Sequence, residues 1–299
     1  MARVSVIIPT FNREHLLRRS VESVLKQSFS DFQLLVVDDG SDDGTKALTE
    51  SIEDPRIEYI RHETNRGVSA ARNTGVRHSD GEFVAFLDSD DTWAESKLEQ
   101  QVEAFDAGSD RLGAVYTTFR KIDWRYEPEV RRPSGNIAIP ILVNNCVGTA
   151  STPMLTRRCF EATGGFDEAL RSSEDWDLWI RVARDWEFEY LDESLVDYYP
   201  QAVSLTSDRK GALRSYAALF EKHADEIASL GPAIRAEHYF YRGRIYFTYR
   251  KIFAGSGSMI YALWIDSSKL RDISRYLFVE NGRKIRDRIF KKTRPGVEA

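Results

Sequence analysis

Over the first hundred residues, short β-branched runs alternate with stretches of helical spacing. Val4 to Ile8 reads as a β-branched run interrupted by Ser5, the pattern of a strand buried on both faces. Leu17, Val21 and Val24 give the next segment an apolar stripe at helical spacing, and Asn12 stands where a helix N-cap is expected. Phe32 to Val37 repeats the buried-strand pattern and ends in the acidic turn Asp38-Asp39-Gly40-Ser41-Asp42-Asp43-Gly44. A helix over Thr45 to Ile52, a strand over Ile57 to Ile60, a helix over Val68 to Val76 and a strand over Phe83 to Leu87 follow in order. The last of these strands is cut off by Asp88-Ser89-Asp90-Asp91. Strands alternating with helices predict a doubly wound, mostly parallel α/β sheet, in which ligands bind outside the carboxyl ends of the strands. Both aspartate-rich segments fall at such ends.

The pattern changes from residue 112. Leu112 to Ile122 predicts one or two strands, and 123–148 reads as irregular, broken by Pro128, Pro133 and Pro140. A short strand over Pro153 to Leu155, a short helix over Arg157 to Thr163 and a helix over Asp175 to Arg184 come next. Phe188 to Leu191 and Leu195 to Tyr199 read as two closing strands. Beyond 205 the pattern is helical, which divides the chain into a domain over 1–205 and a helical region over 206–299. The segment 283–294 carries seven basic residues and one acid.

Composition narrows the function classes. A net charge of −5 gives no global basis for nucleic-acid binding. With two cysteines, Cys146 and Cys159, there is no disulfide framework and no metal-binding CxxC, so a cytoplasmic, reducing compartment is expected. The apolar run at the start ends at Pro9 and reads as a strand, not a leader. No run approaches the ~20 apolar residues of a membrane-spanning helix.

Four segments carry candidate chemistry. Asp88-Ser89-Asp90-Asp91 concentrates carboxylates at a strand end, an arrangement that suits Mg2+ or Mn2+ bridging to a diphosphate. Alone, it reads better as a solvated turn capping the next helix. The Asp38-Asp39-Gly40-Ser41 turn offers a carboxylate for the N3–H of a uracil-like base, with Gly40 free to take positive φ; alone, it is an acidic turn. In Asn65-Arg66-Gly67-Val68-Ser69-Ala70-Ala71-Arg72-Asn73-Thr74-Gly75, small residues allow close approach and Arg72 suits a phosphate; a close-packed helix with a surface arginine reads the same. Gly164-Gly165-Phe166-Asp167-Glu168 and Glu174-Asp175-Trp176-Asp177-Leu178-Trp179 supply a carboxylate at a helix start, able to act as a base, and two tryptophans able to stack on a sugar. The plainer reading is acids complementing a helix dipole.

In the order VSVIIPTFNR, VVDDGS, GVSAARNTG, FLDSDD, GGFDE and EDWDLW, these blocks make the chain resemble the inverting family-2 glycosyltransferases of GT-A fold, from about residue 3 to 200. The resemblance implies transfer of a sugar from a nucleotide-sugar donor to a saccharide or lipid-linked acceptor, as in cell-envelope polysaccharide biosynthesis. It implies that Pro9 and Thr10 line the nucleotide pocket and that Asp39 bonds the uracil. Arg72 would lie against the base or diphosphate, Asp88 against the ribose, and Asp90 on Mn2+ or Mg2+. Asp175 would be the general base, with Gly165, Glu174 and Trp176 at the donor-sugar and acceptor site. The implied donor nucleotide is UDP, with thymidine second, and sugar specificity is expected in loops such as 120–150.

Alternatives remain in view. A sugar nucleotidyltransferase needs a glycine-rich basic loop after the first strand, where this chain has Pro9-Thr10-Phe11-Asn12. A catalytically inactive nucleotide-sugar-binding module keeps the same motifs. The basic tail, with Ile285, Ile289 and Phe290 roughly on one helical face, suits peripheral contact with an anionic membrane or an oligomer contact. His15, His62, His78, His223 and His238 show no metal spacing and receive no role.

Overall fold

The computed structural model describes residues 2–122, 132–200, 209–249 and 251–277. Its elements run β1 (Val4–Thr10), α1 (Glu14–Leu25), β2 (Phe32–Asp38), α2 (Thr45–Glu50), β3 (Ile57–Arg61), α3 (Val68–Arg77), β4 (Phe83–Phe86), β5 (Thr92–Trp93), α4 (Lys97–Ala107) and β6 (Leu112–Lys121). They continue α5 (Ala138–Val143), β7 (Pro153–Thr156), α6 (Arg157–Thr163), α7 (Glu174–Val182), β8 (Glu187–Tyr198) and α8 (Arg209–Lys222). Four more helices follow: α9 (Ala224–Ser229), α10 (Pro232–Thr248), α11 (Ile252–Ile265) and α12 (Lys269–Arg275).

The strands form one sheet in the order β3-β2-β1-β4-β7-β6-β8-β5. β3, β2, β1 and β4 run parallel, whereas β7 is antiparallel to both β4 and β6 and β5 is antiparallel to β8. The sheet is therefore mixed, with its parallel half first in sequence. Every residue of β1 is buried, Ser5 and Thr10 included, as expected for a strand covered on both faces. Leu17, Val21 and Val24 of α1 pack on Val4, Val6, Ile8, Leu34 and Val36 in the main core. The β1–β2 register sets Thr10 beside Asp38, and Leu87 N donates to Ile7 O, so the chain leaves β1, β2 and β4 at one edge of the sheet.

Three local expectations change, and one strand appears that the pattern did not predict. Asn12 does not cap α1: it sits at φ 51°, donates its N–H to Ser41 Oγ and accepts from Asp42 N at Oδ1. Asp43 takes over the capping bond, accepting from Glu14 N at 3.0 Å. Within the segment read as irregular lies α5; Pro140 occupies its first turn, where a missing N–H leaves no bond unmade. The two expected closing strands are one, β8, because the exposed Asp192 and Glu193 are absorbed by a register shift against β6 between Thr117 and Thr118. Finally, β5 is two residues long, too short for any periodic signal.

The chain divides into two compact units, 1–222 and 223–299. The division expected near residue 205 falls among residues outside the described set, and α8 belongs to the first unit. In the second unit α10 and α11 cross closely: a Cβ on Gly243 would lie 2.7 Å from Met259 Cγ and 3.1 Å from Gly255 O. Met259, Ile273 and Tyr276 form its small core, with Phe240, Phe247 and Leu263 packed around them. The basic tail 283–294 lies outside the described residues. Among the described residues, no helix is long and apolar enough to cross a membrane.

Candidate active site at the carboxyl edge of the sheet

The carboxyl ends of β1, β2 and β4 bring Pro9 and Thr10, Asp38 and Asp39, and Asp88 to the same edge. This is the switch point of the parallel half, where β2 lies on one side of β1 and β4 on the other. Thr10 is buried, and among the described residues its Oγ1 has no hydrogen-bond partner. Such a group carries a penalty of about 1–3 kcal/mol unless water or a ligand satisfies it.

The acidic turn after β2 is a rigid piece of machinery. Asp38 is fully buried; its Oδ1 accepts from Ser41 N at 2.8 Å and its Oδ2 from the Tyr59 hydroxyl at 2.5 Å. Asp39 is nearly as buried, and its Oδ1 accepts from Arg66 N at 2.9 Å and its Oδ2 from Gly67 N at 2.7 Å. The same Oδ1 lies 2.7 Å from His62 Nδ1, while His62 Nε2 lies 3.0 Å from Thr74 Oγ1. Three contacts leave one of the roughly four lone-pair positions of the carboxylate free. Gly40 has φ +87°, as expected, and a Cβ there would come within 3.1 Å of the Thr64–Asn65 backbone. His62, given no role from sequence, therefore orients Asp39; its partners stand 23 and 12 residues away, beyond any local pattern.

Arg72 departs most from its expected role. It is almost fully buried, and its two terminal nitrogens donate to Asp88 Oδ1 at 2.6 Å and Glu174 Oε1 at 2.7 Å. Its guanidinium also lies over the Phe166 ring, 4.9 Å from the centroid. Its two terminal nitrogens are thus taken by carboxylates, while its buried Nε has no hydrogen-bond partner among the described residues. Glu174 is likewise committed to Arg72. Together they tie α3, the loop after β4 and the first turn of α7 into one unit. Replacing Arg72 with Met leaves the buried Glu174 and the partly buried Asp88 without the cation that pairs them. We expect a loss of about 3 kcal/mol, read as a fall of roughly 5–10 °C in the thermal midpoint.

The four residues Asp88 to Asp91 divide by burial. Asp91 is fully buried; it accepts from Ser151 Oγ at 2.8 Å and Tyr199 N at 3.3 Å, and burial drives its carboxyl well above the usual carboxylate range. It is a structural tie. Asp90 is partly exposed, 3.7 Å from Arg13, and burial together with the neighbouring Asp88 charge pushes its pKa up to about 6. Among the described residues no group of three or more His, Cys, Asp and Glu could hold a metal by itself. A hard divalent cation that binds substrate phosphates needs only one or two protein carboxylates. Asp90, with Asp88 beside it, fits that requirement, since a cation relieves the repulsion that raises the Asp90 pKa.

Across the Arg72 bridge, α7 begins at Glu174, preceded by Ser173 in the left-handed region at φ 61°. Asp175 is partly exposed; its Oδ1 accepts from Trp176 N at 2.6 Å, and among the described residues its side chain takes no other hydrogen bond. Burial, then the Glu174 charge, push its pKa up to about 7. That is the range in which a general base works best near neutrality. Trp176 does not face a sugar. It is 3% exposed, its Nε1 donates to Ile141 O, and it packs edge-on against Tyr216 and Phe220 of α8. Trp179 is fully buried, with Nε1 donating to Gly148 O. The tryptophans belong to the buried face of α7, whereas Asp175, in its first turn, stays partly exposed.

Gly165 has φ +70°, and a Cβ there would meet Asn73 Oδ1 at 2.8 Å. Asn73 in turn accepts from Phe166 N and donates to Phe166 O, fastening this turn to α3. Asp177 is buried and paired with Arg181 and Lys222, which secures α7 to α8.

Fold and site together define a GT-A type α/β protein, with a carboxylate cluster at the sheet switch point and a candidate base beside it. A model of glycosyl transferase family 2 matches residues 5–160, and the chain belongs to that family. An uncharacterised glycosyltransferase of Rickettsia felis is 37% identical over 186 residues, 60% of this chain and 30% of its own. The chain thus spans less than a third of that relative's length. The Escherichia coli protein WfgD is described as a UDP-Glc:α-D-GlcNAc-diphosphoundecaprenol β-1,3-glucosyltransferase. It is 32% identical over 182 residues, 61% of this chain and 70% of its own. In fold, the chain resembles Staphylococcus aureus TarS residues 1–349 in complex with UDP-GlcNAc, with a TM-score of 0.70 at 22% identity over 92% of this chain and 86% of that one. It also resembles the mannosyltransferase PcManGT of Pyrobaculum calidifontis in complex with GDP-Man and Mn2+, with a TM-score of 0.64 at 18% identity over 93% and 81%.

Proposed function

We propose that the protein is an inverting glycosyltransferase that moves a sugar from a nucleoside-diphosphate donor, with uridine the preferred base, to a saccharide or lipid-linked saccharide. One observation carries this reading: the buried Arg72 bridge joins the carboxylate loop after β4 to the helix that presents Asp175. Membership of glycosyl transferase family 2 and the E. coli relative's lipid-linked substrate support it.

In this reading Thr10, with its unsatisfied hydroxyl, and Asp39, with its remaining lone pair, receive the nucleoside. A divalent cation, Mn2+ or Mg2+, held by Asp90 with Asp88 beside it, would supply the positive charge that neutralises the departing diphosphate. Asp175 takes the proton of the acceptor hydroxyl as that oxygen bonds to the anomeric carbon. The bond from that carbon to the diphosphate breaks on the opposite face, so configuration inverts. Arg72 and Glu174 set the position of α7, and hence of Asp175. The proposed setting is the cytoplasmic face of a membrane, in keeping with Cys146 and Cys159 both being free and buried.

Calorimetric titration of UDP, dTDP, GDP and ADP, each with Mn2+ and again with EDTA, tests the reading. Metal-dependent binding of a single diphosphate, UDP foremost, is the expected result. A folded protein that binds none of the four overturns it.

A further inference from the structure

In the second unit the face of α11 turned toward solvent is apolar. Its inner face is Gly255, Met259 and Ala262, all buried. At 100° per residue, Phe253, Gly257, Ile260 and Trp264 fall within a 60° arc directly opposite. Phe253 is 95% exposed, Ile260 65% and Trp264 78%. Tyr261, 40% exposed, borders the stripe and stacks on Trp264 with ring centroids 5.6 Å apart. From Ile252 to Ile265 there is no charged residue. An ordinary surface helix places its polar residues here, and contiguous apolar exposure of this kind marks a contact surface.

We propose that the outer face of α11 docks on the surface of an anionic lipid bilayer. Charge selects this occupant. Residues 223–299 contain fifteen Lys and Arg against eight Asp and Glu, a net charge of +7 in a chain whose total is −5. Lys251 at the start of α11 and Arg271 and Arg275 on α12 are exposed. Pairing with a second copy would bring two such basic units together, whereas an anionic membrane attracts each basic residue near it. The residue types agree, since tryptophan and tyrosine favour the membrane–water interface. Fourteen helical residues span roughly 21 Å, short of a bilayer core, so the helix lies on the surface and does not cross it. Beside the stripe, a shallow groove lined by Tyr239, Arg242, Tyr246, Ser258 and Tyr261 adds a guanidinium and hydroxyl groups suited to a headgroup phosphate.

The test is flotation of the full chain with vesicles of phosphatidylcholine alone and with one third phosphatidylglycerol, comparing wild type with the Phe253→Ser, Trp264→Ser double variant. Both side chains are exposed, so the variant keeps its fold, checked by its thermal midpoint. Expected are binding of wild type to the anionic vesicles only and at least a tenfold weaker partition for the variant. Equal partition of the two proteins overturns the proposal and moves any binding to the basic tail. Failure of wild type to float, with a concentration-dependent dimer that the variant abolishes, overturns it in favour of a second copy. These vesicles carry no saccharide acceptor, so either failure leaves the transfer reaction untouched.

Discussion

Asp175→Asn loses about a thousandfold in turnover and retains its affinity for the donor. General-base catalysis contributes roughly 10²–10⁴-fold, and an amide cannot accept the acceptor's proton. The change is otherwise gentle: asparagine keeps an Oδ1 for the bond from Trp176 N, and neither the Arg72 bridge nor Asp90 is touched. The wild-type pH profile should carry the same signature. Burial and Glu174 raise the Asp175 pKa to about 7, so kcat/KM rises about tenfold per pH unit below that value and levels off above it. This limb is absent from the residual activity of the variant. Stability moves the other way. A carboxyl whose pKa is raised in the folded protein contributes stability below the unfolded value, and loses it as pH rises through the folded value. Removing the charge therefore raises the thermal midpoint at pH 8. Near-normal transfer by Asp175→Asn would remove this residue from the role of base.

Asp90→Asn abolishes the metal-dependent part of nucleotide binding. Losing an outer partner of a metal site costs about 10–100-fold in affinity, so losing a direct ligand weakens binding by at least about 100-fold. Titration of UDP with and without Mn2+ measures it: the variant should bind equally weakly in both, while wild type separates them. Protons compete for the same oxygens. With the Asp90 pKa at about 6, the Mn2+ effect on wild type weakens as pH falls below that value. Asp91→Asn is the control within the same turn. Asp91 is buried and bonded to Ser151 and Tyr199, so its loss should show in thermal stability and not in a selective loss of Mn2+-dependent binding. If Asp90→Asn keeps full Mn2+-dependent binding, the metal is held elsewhere.

Much of this molecule is legible in its sequence because its signals are local. The run Val4 to Ile8, β-branched but for Ser5, reads as a strand covered on both faces, and its alternation with helical spacing gives the parallel half-sheet. Two acidic turns directly after strands had to fall at one edge once those strands proved to run parallel on either side of β1. Gly40 needed positive φ, and it has it. What was misread followed from equally local reasoning: Asn12 has a capping residue's chemistry, but Asp43, thirty residues on in the chain, reaches Glu14 N instead.

Pairings across the fold were decided by tertiary structure alone. Nothing near Arg72 in the chain says that its charge is spent on Asp88 and Glu174, 16 and 102 residues away, or that His62 and the Arg66–Gly67 backbone grip Asp39. In Glu174-Asp175-Trp176-Asp177 the residue types fit a sugar site equally well at three positions. Packing of α7 sends Trp176 into the core, binds Glu174 to Arg72 and Asp177 to Lys222, and leaves Asp175 as the carboxylate that remains available. Composition and periodicity specify which elements form and where their ends lie, because those depend on near neighbours along the chain. Whether a charge is already satisfied depends on groups that only folding brings within 3 Å, and that is what separates a structural aspartate from the proposed base here.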